Sequence, residues 1–266
     1  LLSKWVAFLL LAGHRQGHLR GVYTPLTERK REESIMLVQA WMTTDVITVE
    51  EESSMMKASI IMKEKKIRCL PVVNAKDELV GIVSDRDLRD AAPSKATTLD
   101  VYELNYLLSS IKIKDLMTTN LVYVRPDETV EFAAILMLEN KISSLPVIND
   151  KGALVGIITQ TDIFKVLINI AGVYTGGIQF AFSLEDRPGS LREAANVIRS
   201  YGGRIVSILS TREMAEAGRR NVYIRSSPLP DDQLRILVKE LEKKFVVLYT
   251  SEDLLDEVEN RRVRVP

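Results

Sequence analysis

The chain has 266 residues, with 36 basic and 36 acidic side chains, 46% apolar composition and one cysteine. That length suits about two globular domains with an ordinary core. Balanced charge argues against nucleic acid as a partner, and a lone cysteine excludes both an intramolecular disulfide framework and a cysteine-rich zinc cluster. Both histidines, His14 and His18, fall in the first twenty residues. Everything downstream therefore lacks the residue on which most triads, acid–base pairs and metal sites depend. No phosphate-loop or dinucleotide-binding signature replaces it. The expectation is a chain with no catalytic residues, no metal and no membrane partner, in a reducing cytoplasm.

Residues 1–35 read as foreign to the rest. They begin with leucine, and the apolar run Trp5–Ala12 is too short to cross a bilayer. Lys4 precedes that run as in a signal peptide, but no small-residue cleavage site follows it. The first methionine is Met36, and regular patterning starts directly after it. The expectation is a non-native or disordered leader.

From Met36 onward a repeat appears at a constant offset of 75. Met42-Thr43-Thr44 recurs as Met117-Thr118-Thr119, and Leu70-Pro71-Val72 as Leu145-Pro146-Val147. Gly81 and Asp87 recur as Gly156 and Asp162. Aligning 38–88 with 113–163 needs no gap and leaves about 20 of 51 positions identical. Each copy reads as a short extended stretch (46–49; 121–124), a helix, two apolar strands and a closing helix. In the second copy Pro126-Asp127-Glu128 reads as a helix start with Asp127 as N-cap. Val130, Ala133, Ala134 and Met137 then share one apolar face, as Met55, Ala58, Ser59 and Met62 do in the first. The methionines read as adaptable core filler. Between the copies, residues 102–108 suggest a helix whose tyrosines serve a core or an interface. One unit is too small to bury a good core alone. Two should pack sheet against sheet with pseudo-twofold symmetry, leaving two related clefts.

Ser84-x-x-Asp87 and Thr159-x-x-Asp162 open the closing helices. One reading is a capping box, in which hydroxyl and carboxylate satisfy each other's free backbone N–H. The same geometry could hold a ligand. A helix N-terminus attracts phosphate, and a carboxylate can accept from two vicinal hydroxyls. Glycine would let backbone approach that ligand. Residues alone leave these readings open.

The paired Met-Thr openings, Leu-Pro-Val strands, and Gly-Ile-Val-Ser-Asp-Arg-Asp (81–87) with Gly-Ile-Ile-Thr-Gln-Thr-Asp (156–162) resemble the tandem CBS-domain pair, or Bateman module, over roughly 38–170. In that family the motif binds ribose and phosphate of adenine nucleotides or S-adenosylmethionine. The resemblance implies that Asp87 and Asp162 take ribose, and that Ser84 and Thr159 take phosphate. It also implies that the backbone at Val46–Ile47 and Leu121–Val122 meets the adenine edge. Arg86 has Thr161 as its counterpart, so the first site should prefer phosphorylated ligands, unless Arg86 is simply solvated. Cys69 reads as a small buried filler more than a redox sensor.

After the glycine-bearing break 171–177 a new pattern begins. Residues 178–184, 205–210, 221–226 and 245–250 read as strands, and 191–201 and 231–244 as helices. This is the βαββαβ, ferredoxin-like order. With Asp186-Arg187-Pro188-Gly189-Ser190-Leu191 in the first turn, residues 178–250 resemble an ACT domain. The resemblance implies an amino-acid site at Asp186, Pro188, Gly189 and Leu191. The other reading is a sound strand–helix turn in a dimerisation domain.

The expected architecture is thus α/β (α+β). It comprises a leader (1–35), a CBS pair (36–170, copies about 38–90 and 113–170), a linker (171–177), an ACT domain (178–250) and a tail (251–266). The combination resembles AcuB-type acetoin-utilisation regulators. It implies a homodimeric, non-catalytic sensor of AMP, ADP, ATP or S-adenosylmethionine, with an amino acid as second ligand. The alternative is an adaptor that regulates a separate enzyme without binding nucleotide.

Overall fold

A computed structural model describes residues 36–92, 100–253 and 257. The leader 1–35 and most of the tail lie outside the described residues. In the first copy, β1 (Val49–Glu50) runs parallel to β2 (Cys69–Val73), which pairs antiparallel with β3 (Leu79–Ser84). Helices α1 (Met55–Lys65) and α2 (Asp85–Ala91) complete the unit. The second copy has α4 (Val130–Glu139), β4 (Ser144–Ile148), β5 (Leu154–Thr159) and α5 (Gln160–Ile170). Its strands repeat the first register at +75, including the same irregularity after Val72 and Val147. Helix α3 (Val101–Ser110) lies between the copies and packs on α1.

The two copies exchange their opening segments. Thr118 and Ile82 trade backbone hydrogen bonds at 2.9 and 3.0 Å, and so do Thr43 and Ile157. Each Met-Thr opening therefore extends the sheet of the other copy. Val38, with Met36, Trp41 and Met42 beside it, packs into the second core around Val130, Met137, Leu145 and Ile158. Ile113, with Ile111, Leu116 and Met117, fills the first core around Met55, Met62, Leu70 and Val83. This exchange also explains the strand prolines. Pro71 and Pro146 lie opposite Ile82 and Ile157, whose N–H and C=O groups are turned to the other copy. A missing proline N–H costs no ladder bond there.

One expectation is corrected and one is narrowed. The N-cap of α4 is Thr129, not Asp127: the Thr129 hydroxyl accepts from the Phe132 N–H at 3.3 Å. The backbone just before it is already engaged, since the carbonyls of Pro126 and Glu128 accept from Gln39 and Val38 of the exchanged segment. That pairing pushes the helix start two residues on. Helix α3 forms as expected, and Tyr102 and Tyr106, 85% and 78% exposed, lie outside the core, which leaves the interface reading of the two. The helix packs through Leu108 instead.

The C-terminal unit runs β6 (Ile178–Glu185), α6 (Ser190–Ser200), β7 (Ile205–Thr211), β8 (Arg219–Ser226), α7 (Asp231–Lys244) and β9 (Val246–Glu252). The sheet order is β7-β8-β6-β9, with every pair antiparallel. Phe180, Phe182 and Leu184 of β6 face Ala194, Ile198, Leu237 and Leu241 of the helices. On the opposite face Ala181 is also buried, with Tyr223 and Tyr249 as its register partners on either side. The 171–177 segment is hydrogen-bonded to the C-terminal unit at both ends, at Ala171 and at Gly177. The Ala171 carbonyl accepts from Ser207 Oγ and Arg225 Nε, both at 2.8 Å, and Arg225 also pairs with Asp253.

Candidate functional site

The sheet register places the expected ligand residues at one end of each copy. β1 is parallel to β2 with Val49 opposite Val72, so its approach, Val46–Ile47, runs alongside the Cys69 end of β2. Cys69 is in turn opposite Ser84. In the second copy Val124 bridges Val147 in parallel, which sets Leu121–Val122 alongside Ser144, opposite Thr159. Among the described residues, the backbone groups of Val46, Ile47, Leu121 and Val122 have no hydrogen-bond partner. Their side chains are half-buried, and those of Ile47 and Val122 pack on their cores.

Both boxes are fully formed. Asp87 Oδ2 accepts from the Ser84 N–H and hydroxyl, both at 2.7 Å, while Ser84 Oγ accepts from the Asp87 N–H at 3.3 Å. Asp162 Oδ2 accepts from the Thr159 N–H at 3.1 Å and hydroxyl at 2.7 Å, and Thr159 Oγ1 accepts from the Asp162 N–H at 3.4 Å. The capping role is thus realised in each copy, and one carboxylate oxygen, Oδ1, is left for other partners. Arg86 and its counterpart Thr161 are exposed on the first turn of their helices.

The motif glycines face protein. A Cβ at Gly156 would stand 2.6 Å from Met42 Sδ, and one at Gly81 would collide with Met117 Sδ. Each glycine therefore leaves room for the exchanged methionine of the other copy. Cys69 sits where the copies meet. Burial pushes its thiol up to about 11, outweighing a hydrogen bond with Ser144, its own +75 counterpart, that lowers it. We expect Cys69 to resist iodoacetamide at pH 8 in the folded protein and to react in denaturant. Labelling of the native chain at the rate of the denatured one would refute this.

In the C-terminal unit, Asp186 is held by Arg212 at 2.6 Å, which keeps its carboxyl below the usual range. Pro188 is exposed, Gly189 caps α6 at φ +92°, and Leu191 packs against the core. The turn is braced by Arg187, which binds Glu185 and Glu193. A cavity of about 450 Å³ reaches it through Arg187, Ser190 and Glu193, and not through the four expected residues. A second cavity of about 360 Å³ lies between α1, α2 and α3. Neither is lined by Ser84, Asp87, Thr159 or Asp162. Among the described residues no cluster could hold a metal, and no helix is long and apolar enough to cross a membrane.

Sequence reasoning missed Lys165, whose Nζ donates to Asp162 Oδ1 at 2.9 Å. Its spacing of three from Asp162 on a helix was the readable signal.

Comparison with known proteins gives a consistent result. A family model described as the CBS domain matches residues 38–94 and 113–169. An uncharacterized protein of Methanocaldococcus jannaschii is 30% identical over 156 residues, covering 50% of this chain and 92% of that protein. The homoserine O-acetyltransferase of Methanosalsum zhilinae is 34% identical over 163 residues, covering 61% of this chain and 28% of that enzyme. The chain thus spans only about a quarter of that enzyme's length. Among solved structures, a candidate acetoin utilization protein (AcuB) from Vibrio cholerae is 31% identical, with a TM-score of 0.44, covering 52% of this chain and 95% of that one. The Arabidopsis thaliana CBS-pair protein CBSX2 in complex with AMP is 34% identical, with a TM-score of 0.42, covering 51% and 98%.

Proposed function

The chain belongs to the CBS-domain family, carrying two copies in tandem, and from that premise we propose that it is a non-catalytic regulatory sensor of adenosine-containing ligands. The supporting observation is that both copies present the same formed box at +75, each at the sheet end where unpaired extended backbone also lies. In this reading Asp87 and Asp162 accept ribose hydroxyls through their outward oxygen. Ser84 and Thr159 meet the phosphate, and the backbone at Val46–Ile47 and Leu121–Val122 reads the adenine edge. The ligands are AMP, ADP, ATP or S-adenosylmethionine, bound as regulators. The C-terminal unit serves as an ACT-type module for amino-acid sensing or homodimerisation, in an AcuB-like cytoplasmic regulator. Coupling between the modules requires that ligand bind one packing of the copies better than another.

A second reading is an adaptor that binds no nucleotide. It is favoured by the completeness of the boxes, since capping alone satisfies every group in them except Oδ1. Calorimetric titration of the full chain with the four compounds separates the two. Asp87→Ala and Asp162→Ala should each remove one binding event, weakening it about tenfold or more, as loss of hydrogen bonds to a charged group does. If none of the four compounds binds the wild-type chain, the adaptor reading stands.

A further inference from the structure

The two boxes differ at a position that the repeat makes directly comparable. Three residues after the motif aspartate, the second copy has Lys165 and the first has Asp90. In both copies Oδ2 is consumed by the cap, so a ligand hydroxyl must use Oδ1. Among the described residues no partner holds Asp87 Oδ1, whereas Asp162 Oδ1 carries the Lys165 ammonium at 2.9 Å. Asp162 is 7% exposed and its lysine side chain 57% exposed. The carboxylate is fixed and the cation is free to swing on a flexible stem.

We propose that Lys165 is the specificity-determining residue of the second copy, selecting nucleotides over nucleosides. The proposal rests on the reading that Asp162 takes ribose. A ribose arriving at Asp162 Oδ1 displaces the ammonium. For a nucleoside that exchange replaces an ion pair with a hydroxyl hydrogen bond and leaves the ammonium without a new anion. For a nucleoside phosphate, the released ammonium finds a new anion on the ligand, at the first turn of α5, where the positive end of the helix dipole also favours negative charge. The first copy cannot discriminate this way, because Asp90 supplies a carboxylate at the equivalent position. Lys165 also supplies the second copy with a cation that a comparison of Arg86 with Thr161 alone leaves out of account.

The test measures AMP and adenosine binding to the full chain carrying Asp87→Ala, which isolates the second copy, with and without Lys165→Met or Lys165→Arg. With Lys165→Met, adenosine should bind about two- to fivefold tighter, the range that a half-exposed ion pair spans. AMP should bind about tenfold weaker, as expected on losing a charge-assisted bond. Lys165→Arg should keep the wild-type preference. A merely structural Lys165 would shift both ligands in the same direction, and that outcome overturns the proposal. So does a chain that binds adenosine compounds only through Asp87, even with Lys165→Met; the sensor reading then survives for the first copy. A wild-type chain that binds neither compound overturns the underlying reading itself.

Discussion

Replacing Asp253 with alanine is expected to destabilise the protein by about 3–5 kcal/mol, the cost of leaving a buried charge without its partner. Arg225 is 6% exposed, and its guanidinium is divided between Asp253 and the Ala171 carbonyl at the end of α5. Asp253 is nearly as buried, and its own N–H donates to the Gly177 carbonyl at 3.0 Å, so the pair ties the far end of β9 to the segment that leaves the second copy. Removing the carboxylate leaves a guanidinium that cannot lose its proton and, among the described residues, has no other anion as partner. Replacing both partners with apolar residues, Arg225→Met with Asp253→Leu, should be far milder, because no charge then remains to be solvated. Urea unfolding of both variants decides the matter. A shift under 1 kcal/mol for Asp253→Ala would show that water reaches the pair.

The second large effect is expected at Gly81. Valine there should cost about 3 kcal/mol, because its side chain would occupy the space that Met117 fills in a buried strand. The three nearest atoms all belong to the Met117 side chain, and truncation to alanine removes the two closest, so shortening that side chain should relieve the clash. Gly81→Val combined with Met117→Ala should therefore cost less than the sum of the two single changes, by about 1 kcal/mol or more. Strict additivity in thermal or urea unfolding would mean that the clash is taken up elsewhere. Gly156 is less suited to the test, since the Thr43 carbonyl also stands 3.2 Å from its Cβ position and cannot be trimmed.

Both results bear on how the family motif is interpreted. The motif glycine looks like an opening for ligand when read along the chain. In space it is the seat of a methionine from the other copy. The hydroxyl and the aspartate are bound to each other before any ligand arrives, which leaves one carboxylate oxygen per box outside the cap. What distinguishes the copies is then not the shared motif but its neighbours, Arg86 and Asp90 against Thr161 and Lys165.

Much of this was legible in the sequence because it is local. The 75-residue repeat, the strand pairs, the capping boxes and the βαββαβ order all depend on residues within one or two turns or strands of each other. Side-chain period and short-range hydrogen bonding decide such features. The helix start at Thr129 was misread for a reason outside that range: residues 37–39, some ninety positions earlier, bind its approach. Whether Tyr102 and Tyr106 belong to the core was not legible, because apolar character alone does not say which face of α3 meets α1.

By itself, then, the sequence determined two copies of one unit, a third unit of different pattern, and the residues that could meet a ligand. Only the tertiary structure decided that the copies exchange their openings, so that Met42 and Met117 each complete the other's core and Pro71 and Pro146 lose no hydrogen bond. It alone showed Asp162 already holding Lys165 while Asp87 Oδ1 has no partner among the described residues, and α5 fastened at Ala171 to Arg225. The physical reason is the same each time. These contacts join residues 36 or more positions apart, and their energies come from packing and burial that no local pattern encodes, with Lys165 as the one near neighbour, whose role appears only once Asp162 is seen to be buried.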